Sequence, residues 1–194
     1  DHGGLTSFVV AAGAASWKMS NTSLAVKCPI AATSTCIAGG NVTVFVDVFD
    51  EFGNGRDASS AGNNDGFSVQ VHKMGTSEVD FLALVPGSGN RYSATFAPTD
   101  AASYTVKTAI GLKQVDKSPI VGELVVVPGP ADPSTTSVSG AGLSGAQRGV
   151  EATFTVHPRD AWDNSITRLD DNVTYVLKDN SSGLLESVGG GACV

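Results

Sequence analysis

The chain has 194 residues, 41% of them hydrophobic and 16% charged, which is enough apolar material to bury a core in one or two domains. A formal net charge of −7, with 12 Lys and Arg scattered among 19 Asp and Glu, excludes the clustered basic surface that a phosphate backbone or an anionic membrane demands. No run reaches the roughly 18 apolar residues of a spanning helix, and no basic-then-apolar amino-terminal segment resembles a signal peptide.

Along the chain, 23 Gly and 8 Pro punctuate segments rich in Val and Thr, and apolar residues alternate instead of recurring every 3.6 positions. Strands joined by turns are therefore expected throughout. A first strand is expected near Leu24, followed by a segment of small and polar residues between Cys28 and Cys36. Over residues 41–49, Val42, Val44, Val46 and Val48 alternate with Thr43, Phe45 and Asp47. That places the valines on one face of a pleated strand, the face that should point into a sandwich. Further strands are expected over 67–71, 79–85, 91–96, 103–110 and 120–127, each bounded by Gly, Pro, Asn, Asp or Ser. About seven strands is the number an immunoglobulin-like sandwich needs. The turns Gly53-Asn54-Gly55, Asn64-Asp65-Gly66 and 86–90 carry residues that tolerate positive φ.

The sequence also repeats itself, and a domain-length period outweighs any single strand assignment. Asp50-Glu51-Phe52-Gly53-Asn54 returns as Asp160-Ala161-Trp162-Asp163-Asn164, and residues 8–15 return as residues 124–131. The second offset is longer than the first, so the first copy should hold an insertion, and the segment from Cys28 to Cys36 fits that place. Residues 1–13 then read as the last strand of one repeat, 14–129 as a complete repeat, and 130–194 as the first part of a following repeat. With Asp1 inside a strand-like pattern and Val194 just after Cys193, the chain reads as part of a longer protein.

These motifs resemble the filamin-type immunoglobulin repeat. Its second strand ends in Asp-x-x-Gly-Asn, as residues 50–54 do. Its aromatic-Pro-Thr corner followed by Tyr is matched by Tyr92, Phe96, Pro98, Thr99 and Tyr104, and its closing linker by Ser118-Pro119-Ile120 and Val127-Pro128-Gly129-Pro130-Ala131. The resemblance covers most of the chain and implies an all-β architecture of tandem Ig-like (filamin-type) β-sandwiches. It implies structural roles for Asp50, Asn54, Asp160, Asn164, Pro98 and Tyr104, the last as a buried tyrosine corner. Pro128 and Pro130 should stiffen the joint between repeats. Ala102 stands where the family prefers Gly, Asp163 replaces the Gly of the second motif, and the cysteine segment is unusual. Those departures set the chain apart from the cytoskeletal filamins, and the resemblance then implies a relative of the kind found among cell-surface and gamete-adhesion proteins of the green lineage.

Cys28 and Cys36 lie in a polar, small-residue insertion without an obvious core for free thiols to join, so a disulfide between them is expected. Cys193 is left over. Sequons for N-glycosylation stand at Asn21, Asn41, Asn172 and Asn180, and Asn180 lies in the most turn-like setting. The cluster Asp47, Asp50, Glu51 and Asp57 lacks the spacing of a calcium loop, and an Asp at position 50 more simply orders a turn. His2, His72 and His157 are isolated from one another and from Cys. No nucleophile elbow, phosphate loop or paired acid and base is present, and Gly189-Gly190-Gly191 lacks the Lys and Ser of a P-loop. No catalysis, metal or cofactor is expected.

The functional expectation is an extracellular structural or adhesive protein whose repeats act as spacers and protein-interaction modules, with other chains or further repeats of the same protein as partners. Neither nucleic-acid binding nor membrane contact is indicated in this segment. An intracellular cytoskeletal or axonemal scaffold remains open. For it the resemblance implies peptide binding by strand addition along edge strands carrying Phe67, Val69, Val71, Val79 and Phe81. A carbohydrate-binding module of a secreted protein also remains open, and would use Trp17 or Trp162 as an aromatic platform.

Overall fold

The computed structural model describes residues 11–27, 35–58, 66–115, 118, 120–145, 147, 150–167, 173–178 and 185–191. The chain divides into two compact units, Asp1–Pro98 with Ala102–Val127, and Thr99–Ala101 with Pro128–Val194.

The first unit contains β1 (Asn21–Lys27), β2 (Thr35–Ile37), β3 (Asn41–Asp47), β4 (Phe67–Lys73), β5 (Val79–Leu82), β6 (Val85–Pro86), β7 (Arg91–Phe96), β8 (Ser103–Ile110), β9 (Lys113–Gln114) and β10 (Ile120–Val127). One sheet runs β1-β3-β7-β6; the other runs β2-β10-β8-β4-β5, with β9 paired to β8. All pairings are antiparallel except β2 with β10, which is parallel. The strands form where period-two patterning predicts them. Val42, Val44, Val46 and Val48 are all fully buried, while Thr43, Phe45 and Asp47 on the other face are only partly so. They meet Val69, Val71, Tyr104, Val106, Leu124 and Val126 from the second sheet. Enclosing each such side chain contributes about 1.5–3 kcal/mol, so the alternation itself fixes which way every strand faces.

Cys36 departs from expectation. It lies in β2 and is fully buried, a member of the core and not a residue of a coreless insertion. The physical reason is the parallel pairing: Thr35, Cys36 and Ile37 align with Val125, Val126 and Val127, so Cys36 shares the inward face of Val126.

In the second unit, β11 (Ser137–Ser139) pairs antiparallel with β12 (Thr155–His157), and β13 (Val173–Lys178) with β14 (Leu185–Gly191). A short 3-10 turn over Ala141–Leu143 follows β11.

Candidate functional site

The most ordered polar feature of the first unit is the loop that follows β3. Asp50 is 1% exposed, yet its carboxylate accepts four hydrogen bonds. Oδ1 takes the Phe52 and Asn54 amides at 2.9 and 2.8 Å. Oδ2 takes the Gly13 amide and the Asn54 side-chain amide, both at 2.9 Å. The Asn54 side chain leads these donors in holding the Asp50 carboxyl down at about 2. The loop of the second unit is built alike. Asp160 Oδ1 accepts from the Trp162 and Asn164 amides at 2.9 Å each, and Oδ2 accepts from the Gly129 amide and Asn164 Nδ2 at 2.8 Å each. Burial pushes the Asp160 carboxyl up, but Asn164, Gly129 and Trp162 outweigh it and hold the group below the ordinary Asp range.

The backbone bridges repeat in the same register, Ala15 with Asp50 and Phe49 with Gly55 in one unit, Ala131 with Asp160 and Arg159 with Ser165 in the other. These carboxylates have their acceptor capacity filled by protein donors, so they organise loops and do not await a cation. Asp47 is engaged as well, by a two-pronged pair with Arg91 Nε at 2.7 Å and a second guanidinium nitrogen at 2.8 Å. Among the described residues no three His, Cys, Asp or Glu side chains gather as metal ligands. His72 Nε2 meets Gln70 Oε1, and His157 Nε2 meets Ser139 Oγ.

An unpaired strand edge lies elsewhere, on the side of the first sandwich where residues 79–86 cross from one sheet to the other. Strand β5 ends the second sheet, and among the described residues no strand pairs with its outer side. Phe81 is 72% exposed, and Val79 of the same strand is exposed as well, as are Met74 and Val85. The expected edge therefore needs correction. Phe67, Val69 and Val71 belong to β4, which is hydrogen-bonded to β8 on one side and to β5 on the other, and so presents no free edge. Val69 and Val71 are buried, and the Phe67 ring packs on Tyr92 at 5.1 Å. Val79 and Phe81 remain on the edge.

Among the other predicted residues, Tyr104 is buried in β8 opposite Leu124, and buried Pro98 accepts the Gly39 amide through its carbonyl. Asn41 is exposed at the start of β3 and Asn21 opens β1; Cys28, Asn172, Asn180, Cys193 and His2 lie outside the described residues. Trp17 is flanked by the ammonium groups of Lys18 and Lys113 at 5.4 and 5.5 Å, and Trp162 is exposed in its turn. Sequence reading missed Asp80 and Val85. The one signal that could have found Asp80 is the acid inside the run Val79-Asp80-Phe81-Leu82, and its meaning depends on a register the sequence does not print.

No helix among the described residues is long and apolar enough to cross a membrane. No family model matches the chain, and no curated protein does. Among solved structures the chain is similar to the Escherichia coli adhesin FdeC, with 20% identity, 90% of this chain and 51% of that chain covered, and a TM-score of 0.54. It is also similar to InvD of Yersinia pseudotuberculosis, with 13% identity, 95% and 54% covered, and a TM-score of 0.49. The Lin-41 filamin domain matches with 14% identity, 60% and 100% covered, and a TM-score of 0.45. The chain spans about half the length of the FdeC and InvD structures. Strand order, burial and the likeness to FdeC together show an all-β, immunoglobulin-like fold.

Proposed function

We propose that this chain is a non-enzymatic structural or adhesive segment of an extracellular protein, a spacer that takes partner proteins by strand addition at β5. The carrying observation is the unpaired β5 edge with Phe81 exposed beside it. An edge of this kind offers main-chain hydrogen bonds for affinity and a side-chain contact for selection. The polar side chains with the strongest local organisation, Asp50 and Asp160, are spent on loop structure, and among the described residues no arrangement of nucleophile, base and oxyanion donor accompanies them. The adhesin FdeC has the same kind of fold, which is compatible with an adhesive role. An extracellular setting is supported by the pairing proposed between Cys28 and Cys36 and by the four sequons.

Mass spectrometry of the protein from its native source, digested without reduction, tests the setting. A peptide joining Cys28 to Cys36, with glycan on at least one sequon, is the expected result. Alkylatable Cys36 together with bare Asn at all four positions would assign the chain to a reducing compartment and leave the scaffold reading in its place.

A further inference from the structure

The register of the β5 edge says which partner segment it takes. In an antiparallel pair, directly opposed residues share a face. Leu82 is opposite Val69 and Asp80 is opposite Val71, and both valines are buried against the other sheet. Leu82 follows suit and packs on the core. Asp80 therefore sits on the inward face of the sheet, yet it is exposed. Its carboxylate has no hydrogen bond or ion pair among the described residues, whereas neighbouring Glu78 is paired with Lys73 at 3.5 Å. Val79 and Phe81 occupy the opposite, outward face, beside His72 and Gln70.

An inward-facing charge on an edge strand is a known means of keeping like edges apart. Antiparallel pairing of β5 with β5 of a second copy, centred on the strand, brings two Asp80 carboxylates face to face or onto neighbouring pairs, which is destabilising. The net charge of −7 adds to that repulsion. A partner strand that carries a cation at this register meets no such penalty, and its two flanking residues fall on the outward face, against Val79 and Phe81.

We infer that β5 is selective for an extended segment of the pattern apolar–Lys/Arg–apolar, with the cation set against Asp80 and the apolar residues against Val79 and Phe81. This rests on the strand-addition reading above. The test uses the whole chain with short capped peptides that carry Val-Lys-Val, Val-Gln-Val or Val-Glu-Val at the centre and threonines on both sides. Binding is followed at low ionic strength by the amide signals of residues 79–82 and by their hydrogen exchange. The Lys peptide should protect β5 and bind about five to ten times more tightly than the Glu peptide, with Gln between, as expected for a charge pair set against a like-charge contact. Asp80→Lys should invert that order, and Asp80→Asn should flatten it. Equal binding of all three peptides at β5 would overturn the charge selection and leave strand addition standing. Binding of none at β5 would overturn strand addition itself, and β5 protection that grows with protein concentration alone would assign the edge to a second copy of the chain.

Discussion

The loops around Asp50 and Asp160 solve one problem with unequal materials. In both, a buried carboxylate gathers the amide of the residue two places on, the amide and side chain of the Asn four places on, and the amide of a distant Gly. The position before the Asn differs. Gly53 holds φ at 84°, and Asp163 holds φ at 68°, the only left-handed non-glycine residue among those described. The donors and acceptors of the Asp/Asn frame thus fix the turn, and the residue at its tip conforms to the frame at whatever local cost its side chain imposes.

Removing the carboxylate should break the comparison most severely. Asp160→Ala leaves the amides of Gly129, Trp162 and Asn164 without their acceptor, a loss of about 3 kcal/mol for hydrogen bonds to a charged group. The readout is hydrogen exchange, in which those three amides should lose protection while Gly13, Phe52 and Asn54 keep theirs. Asp50→Ala should do the converse. If either substitution left its own loop protected, the carboxylate would not be the organising group.

Acid acts on the same groups without mutation. The folded Asp50 carboxyl is held at about 2, below its ordinary value near 3.8, so its hydrogen bonds contribute full stability above the ordinary value. Below it, the unfolded chain takes up protons that the folded loop refuses, and the contribution fades as pH falls through about 2. Asp160 is shifted in the same direction. Amide protection in both loops should be flat from pH 7 to 5 and decline between about 4 and 2. A decline centred near pH 6 would point to a histidine instead.

Much of this fold is legible in the residue order, because period-two alternation and burial are the same fact seen twice. Val42, Val44, Val46 and Val48 declare their face before any partner is known. The Asp50 and Asp160 motifs declare their likeness through side chains that bond within a few residues of themselves. What fails to show is pairing over long separations. That β5 adds to β4, closing the edge expected at Phe67, Val69 and Val71, is a matter of register between strands, and the composition of β4 does not encode it. Cys36 is a second case, since only its parallel alignment with β10 makes it a core residue.

The tip residue offers a milder test than the carboxylate. Gly53→Ala places a Cβ 3.5 Å from the end of Met19, a flexible side chain, so crowding is minor and the left-handed φ carries the effect. The expected loss is about 1 kcal/mol, read as weaker protection at Phe52 and Asn54. Asp163→Gly should move the other loop the opposite way, gaining up to about 1 kcal/mol, since Asp tolerates that conformation less well than Gly.

The gain at Asp163 is limited by Arg159. Its guanidinium pairs with the Asp163 carboxylate at 3.2 Å and donates to the Asp163 carbonyl at 2.7 Å. The first contact is an exposed i,i+4 ion pair, worth about 0.5 kcal/mol or less; the second uses the backbone and survives substitution by Gly. Arg159→Ala should therefore lower loop protection slightly in the parent and nearly as much in the Asp163→Gly background. The coupling in that double-mutant cycle should stay below about 0.5 kcal/mol. A coupling of about 1 kcal/mol or more would mean that the carboxylate is what holds the arginine, and that Asp163 compensates for its strain through charge and not through the frame built by Asp160 and Asn164.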